Sequence, residues 1–192
     1  LGAAKAGFSI NTKLGKLELG AREVDIRRML DVSLKALQTE RLGSLMVHDV
    51  RHLLDPAGEH IWDVFRALLK EGCVQKIGVS VYHPEQLEDL IKLEDLGVVQ
   101  FPLNLYDQRF LSTGWPGKLN KLNVAVQIRS VFLQGILTVK VDNLPSHLQG
   151  MKDHHRRTVR FLKRCGLAPV TGALQFCLNQ SNVDQVVVGC ET

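Results

Sequence analysis

Apolar residues along the chain follow two rhythms that take turns. From Arg22 to Gln38 they stand at Val24, Ile26, Leu30, Leu34 and Leu37, the spacing of one helix face. From Gly58 to Glu71 they stand at Ile61, Phe65, Leu68 and Leu69, and Gly72 supplies a stop signal. Between such stretches lie short apolar runs that suit buried parallel strands. The pattern predicts strands over Phe8–Lys13, Gly43–His48, Val74–Val81, Val98–Leu103, Val124–Val131 and Val183–Val188. Further helices are predicted from His83-Pro84-Glu85 to Glu94, with proline in the first turn, and over Trp115–Leu122, Leu148–Arg164 and Val170–Leu178.

Six strands alternating with helices imply parallel βαβ units with right-handed crossovers. Two architectures satisfy that rhythm, an open doubly wound sheet and a closed barrel. The open sheet predicts GxGxxG after its first strand, and neither that motif nor a Walker GxxxxGK[ST] is present. The barrel is therefore favoured. Its difficulty is length, because 192 residues fall short of the roughly 250 typical of an eight-stranded barrel.

Composition narrows the setting. Lys and Arg number 24 against 20 Asp and Glu, a net charge of +4 that is too small to argue for nucleic acid. With 45% hydrophobic and 23% charged residues the chain is globular. No apolar run reaches the roughly 18 residues of a membrane span, and nothing resembles a signal peptide. Cys73, Cys165, Cys177 and Cys190 stand alone, without CxxC or zinc spacing, as small hydrophobes do in a reducing cytoplasm. The pair His154-His155 has no third ligand near it, so no metal site is expected. Lys152, Arg156, Arg160 and Lys163 share one helical face and read as a solvated surface. Trp62 and Trp115 read as packing residues.

In an α/β barrel the site lies at the C-terminal ends of the strands. Thr12-Lys13, His48-Asp49, the stretch from Gly78 to Tyr82, Gln100 with Asn104, Arg129-Ser130 and Gly189-Cys190 stand there. Singly, a lysine after a strand is solvated and a histidine at a strand end is structural. Their coincidence on one face is what suggests a shared pocket, and spacing alone goes no further than that.

The residues resemble the aldo-keto reductase family. The likeness runs through Thr12-Lys13, the stretch Ser33 to Leu37, Leu45 to Asp49, Glu71 to Ser80, Val99 to Asn104 and Arg129 to Gly135. Asp107 to Phe110 and Gly114-Trp115 are similar to a bacterial branch linked to surface-sugar biosynthesis. The resemblance implies an α/β TIM (β/α)8 barrel of which this chain covers about strands three to eight. It implies a single domain over 1–192, truncated at both ends. Two front strands, with the family's aspartate and acid tyrosine, would precede Leu1, and a last helix would follow Thr192. Neither Tyr82 nor Tyr106 stands at a position matching that acid tyrosine.

The implied activity is NADP(H)- or NAD(H)-dependent interconversion of a carbonyl and an alcohol, on an aldehyde, ketone or sugar, in the cytoplasm. Lys13 would hold a tyrosine's proton affinity down and His48 would orient the carbonyl oxygen, the two catalytic residues expected here. Ser80 and Gln100 would meet the cofactor carboxamide, with Val81 where many relatives carry Asn. Arg129 stands where many relatives stack a tyrosine on nicotinamide, and its charge would favour the reduced cofactor or an anionic substrate. Ser130, Phe132 and Gln134 would approach the pyrophosphate. A non-catalytic barrel that binds a partner is the alternative. A phosphate-binding lyase or isomerase is disfavoured, since no glycine-rich phosphate loop follows the fifth strand.

Overall fold

The computed structural model describes residues 8–15, 17, 20–55 and 58–189. Six strands form one parallel sheet in sequence order: β1 (Asn11–Leu14), β2 (Leu42–Val47), β3 (Val74–Ser80), β4 (Leu96–Pro102), β5 (Ala125–Arg129) and β6 (Gln185–Val186). Helices α1 (Glu23–Leu37), α2 (Arg51–Leu54), α3 (Glu59–Lys70), α4 (Leu87–Leu90), α5 (Arg109–Ser112), α6 (Trp115–Lys121), α7 (Lys152–Arg164) and α8 (Pro169–Leu178) fall between them.

The sheet curls. Parallel neighbours sit about 4.8 Å apart, so three strand steps on a flat sheet span roughly 14 Å and five steps roughly 24 Å. Yet Lys13 Nζ on β1 donates to Gln100 Oε1 on β4 at 3.0 Å, and Asn11 Nδ2 on β1 reaches Gln185 Oε1 on β6 at 3.5 Å. Side chains that meet across such spans require a concave face, so the six strands are part of a (β/α)8 barrel. The open-sheet alternative is thereby removed.

Side-chain parity sorts the strands into two surfaces. Leu45, Val47, Ile77, Val79, Val99, Phe101, Val126 and Ile128 join Ile26, Leu30, Ile61, Phe65 and Leu68 of the helices in the main core. The opposite parity faces the barrel interior. Glycine is needed at one interior position. A Cβ on Gly78 would stand 2.0 Å from the Val98 carbonyl oxygen, at the point where the β3–β4 register shifts.

The predicted strands are all present with altered ends. β1 begins three residues later than Phe8, and β6 contracts to Gln185–Val186. The expected helix from His83 to Glu94 is instead a 3-10 turn (Pro84–Gln86) running into α4, because Gln86 Oε1 accepts from the backbone N–H groups of Tyr82 and His83 and tightens the entry. The start of the predicted helix from Leu148 is likewise 3-10, over Ser146–Met151, before α7. Gly72 terminates α3 as expected: it adopts φ 76°, and Cys73 N–H donates to Leu68 O at 3.1 Å. Both tryptophans are buried, Trp62 Nε1 donating to Glu94 O at 2.8 Å. Cys190 lies outside the described residues.

Gly78→Ala is expected to destabilise the chain by about 2 kcal/mol or more, because the added methyl meets backbone that cannot yield. Urea unfolding measures this; a loss under about 0.5 kcal/mol would show that β4 shifts freely.

Candidate active site

One register row of the barrel interior is polar across its width. Ser80 on β3 pairs with Gln100 on β4, Gln100 with Gln127 on β5, and Gln127 with Gln185 on β6. His48 follows β2 immediately, beside Ser80 in the same phase. Parity explains the row: each residue lies two positions, or a multiple of two, from an interior neighbour such as Met46, Gly78, Val98 or Ala125.

Hydrogen bonds run along the row in one sense. Lys13 Nζ donates to Gln100 Oε1 at 3.0 Å, Gln100 Nε2 to Gln127 Oε1 at 3.0 Å, and Gln127 Nε2 to Gln185 Oε1 at 2.7 Å. A lysine ammonium only donates. It therefore dictates that Gln100 turns its oxygen toward β1, and each later amide must follow suit.

Ser80 Oγ has no hydrogen-bond partner among the described residues, although the residue is 1% exposed. A buried hydroxyl left unpaired is costly, and the site is where a ligand would relieve that cost. Arg129 lies two residues beyond Gln127 on the same strand, at the same interior phase. Its guanidinium sits 4.2 Å from the Tyr82 ring centroid, donates to Ser130 Oγ at 3.2 Å and reaches Val81 O at 3.3 Å. The sequence had suggested stacking by Arg129; the ring it stacks on within the chain is Tyr82.

Two half-buried cations, Lys13 and Arg129, set the electrostatics of the mouth. Burial, and then the Arg129 charge, hold the Lys13 ammonium below its ordinary pKa. Burial also lowers Arg129, with Tyr82 and Asp107 opposing. His48 is lowered by burial first, then by Lys13 and Arg129, with Asp49 acting weakly the other way. Asp49 itself is taken up by Arg51, which brings its carboxyl down to about 2. His48 is therefore a neutral imidazole near neutral pH, able to donate from one ring nitrogen and accept at the other.

Beyond Arg129 the chain turns sharply. Ser130, Leu133, Gln134 and Gly135 all have positive φ, from 47° to 87°. Three of these are not glycine, a backbone cost that structures retain at functional sites. Asn104 Nδ2 donates to Ser130 O at 3.1 Å and pins the start of the loop. A cleft of about 410 Å3 opens there, lined by Ser130, Phe132, Gln134, Thr138 and Val187 among others. The expected site residues thus form two groups. Lys13, His48, Ser80, Gln100 and Arg129 gather at the mouth, and Ser130, Phe132 and Gln134 line the adjoining cleft.

Sequence reading passed over Gln127 and Gln185, which carry the row onward. The signal for Gln127 was present: a polar residue at the interior phase of an otherwise apolar strand, two before Arg129. Tyr106, which matches no catalytic position, has its hydroxyl engaged elsewhere, 2.8 Å from His155 Nδ1. His155 Nε2 lies 2.9 Å from Val139 O and so carries the proton, which leaves Nδ1 to accept from Tyr106. Among the described residues no group of three metal-ligating side chains assembles.

The model of the aldo/keto reductase family matches residues 2–192. Among solved structures, the glycerol dehydrogenase of Gluconobacter oxydans is 22% identical with a TM-score of 0.71, covering 96% of this chain and 65% of its own. An aldo-keto reductase of Bacillus halodurans in its apo form is 20% identical with a TM-score of 0.76, covering 98% of this chain and 62% of its own. An aldo/keto reductase of Klebsiella pneumoniae, solved with NADP and acetate, is 16% identical with a TM-score of 0.70, covering 97% and 62%. The chain therefore spans under two thirds of the length of these relatives. No curated protein matches it.

Because His48 has its folded pKa below the usual 6.5, the unfolded chain binds more protons between those values. Its contribution to stability is present above 6.5 and is lost as pH falls through that window. Lys13→Met removes one of the two cations acting on the ring and is expected to raise the His48 pKa by about half a unit. NMR titration of the ring protons checks this, and an unmoved His48 would show that the Lys13 charge does not reach it.

Proposed function

The chain belongs to the aldo/keto reductase family, and from that premise we propose that it is the greater part of an NADP(H)-dependent oxidoreductase. Its reaction interconverts a carbonyl and an alcohol on a small molecule, an aldehyde, ketone or sugar, with NAD(H) the second cofactor to test. We read residues 1–192 as one barrel-type domain in a cytoplasmic setting. That setting suits the three described cysteines, all free thiols, and among the described residues no helix is long and apolar enough to cross a membrane.

The observation that carries this reading is the orphaned Ser80 hydroxyl in register with Gln100, in the row that also contains Gln127 of β5, the strand after which the cleft lined by Ser130, Phe132 and Gln134 opens. A carboxamide offers both a donor and an acceptor, and would complete the Ser80 and Gln100 groups together. The cleft then continues past Ser130, Phe132 and Gln134, where a dinucleotide's diphosphate would lie. When bound, the cofactor supplies or takes up the hydride.

Reduction also needs a proton at the carbonyl oxygen, which is assigned to none of the residues below; they orient the carbonyl and stabilise the charge it develops. His48, neutral and partly withdrawn from water, donates a hydrogen bond to the carbonyl oxygen and orients it. Lys13 sets a fixed positive charge beside the oxygen on which negative charge develops as the carbonyl is reduced. Preorganised cations in a half-buried site stabilise that charge more than water does. Gln100 anchors the ammonium, so the charge is held rather than mobile. Arg129, steadied on Tyr82, adds a second positive charge at the mouth, which disfavours the cationic oxidised nicotinamide relative to the neutral reduced one.

The test is a fluorescence titration of the native polypeptide with NADPH, followed by oxidation assays on aldehydes and sugars. Binding is expected, with Ser80→Ala weakening it about tenfold through loss of one hydrogen bond. Arg129→Ala is expected to narrow the preference for NADPH over NADP+. A native polypeptide that neither binds nor oxidises NADPH overturns the reading. An unchanged affinity ratio in Arg129→Ala removes Arg129 from it.

A further inference from the structure

We propose that Gln127 is a positioning residue for Lys13, acting through Gln100: by accepting from one end of the Gln100 amide, it holds the other end as the acceptor that anchors the ammonium. That Lys13 is the charge the reaction uses rests on the function proposed above; the positioning itself rests on the hydrogen bonds alone.

An amide has two faces of nearly equal shape, and left alone Gln100 could turn either toward β1. Two partners settle the choice. Lys13 demands an oxygen, and Gln127 presents an oxygen that demands an N–H2 group. The orientation that satisfies one satisfies the other. Gln127 is itself oriented by Gln185, whose oxygen accepts from Gln127 Nε2 at 2.7 Å. Gln127 is 3% exposed and Gln100 is 4% exposed, so water does not substitute for either partner. Hydrogen bonds in such a row polarise one another, and donation by Gln100 to Gln127 makes the Gln100 oxygen a stronger acceptor.

The environment of Lys13 makes the support consequential. Arg129 on β5 and His48 after β2 face it, and Arg28 of α1 lines the groove on its other side with Met29 and Ser33. Among the described residues no carboxylate is paired with Lys13, so its anchor is a neutral amide whose strength depends on what lies behind it. The row explains a polar residue at position 127 that packing does not require, since the alternate residues Val126 and Ile128 already complete the core beneath.

The test measures Lys13 directly and needs no cofactor. Lysines of the native polypeptide are reductively methylated with a 13C label, the Lys13 resonance is assigned by its loss in Lys13→Arg, and its pKa is read by NMR titration. Gln127→Met, of similar size but without the acceptor, is expected to lower the Lys13 pKa by about half a unit. Gln127→Glu keeps the acceptor and adds negative charge, and is expected to raise it by a similar amount or more. Gln185→Met, at the exposed end of the row, is expected to give a smaller fall in a fold that tolerates it. Opposite signs for Met and Glu at 127 support the proposal, because disturbed packing alone would move Lys13 the same way in both. Shifts of the same sign, or none with either Gln127→Glu or Gln185→Met, overturn it. A polypeptide that shows these shifts but fails to bind NADPH keeps the positioning and loses the reductase.

Discussion

The contact between Lys13 and Gln100 is the constraint on which the rest depends. Two residues three strands apart come within 3.0 Å, which only a strongly curled sheet allows. Curl in turn converts strand parity into a concave interior and a convex exterior. The exterior parity carries Leu45, Val79, Phe101 and Ile128, buried under the helices. The interior parity carries Lys13, Ser80, Gln100 and Gln127. A single geometric fact thus separates the residues that hold the chain together from those left for chemistry.

Much of this division was legible in the sequence, because it follows from periods of two and 3.6. The apolar run around Met46 and the helix face from Ile61 to Leu69 needed no tertiary knowledge. Strand ends were not legible, since partners set them: Gln185–Val186 is only as long as its pairing with Gln127 and Ile128 on β5 permits. The His83–Glu94 segment eluded periodicity because a side chain, Gln86, claims two backbone donors. Of the site, Lys13, His48, Ser80 and Gln100 were legible as polar residues at strand ends, and family resemblance supplied their roles. What resemblance did not supply were the partners of the site residues, the Gln127–Gln185 continuation and the Tyr82 ring under Arg129. Those depend on which strand lies beside which, and on register, neither of which a linear pattern encodes.

Charge is handled differently on the two sides of the barrel. Outside, cations meet carboxylates: Arg27 spans Glu23 and Glu71, and Arg66 spans Glu94 and Asp95. Such pairs are partly or largely exposed, and solvent screening leaves each of them a small contribution. Inside, Lys13 and Arg129 are half buried; burial lowers the proton affinity of both, Arg129 lowers that of Lys13 further, and both cations lower that of His48. Arg129 turns to an aromatic face and a carbonyl, and Lys13 to an amide. Neutral partners anchor a cation without cancelling its charge, which leaves the positive field available to an anionic group or to an oxygen gaining negative charge.

This arrangement works against folding. A half-buried ammonium forfeits hydration that one amide only partly returns, and a buried hydroxyl without a partner forfeits more. Gln127, buried at 3% exposure, stands where an apolar side chain would have packed without polar demands. Residues that merely stabilised a barrel interior would follow the Met46 and Val98 pattern across the whole row. The row departs from it at five consecutive strands, and the strained Ser130–Gly135 turn follows one of them, β5. Costs concentrated at one end of a barrel, and oriented by a single donor-only lysine, are the physical mark of a site organised for binding and charge stabilisation rather than for holding the fold.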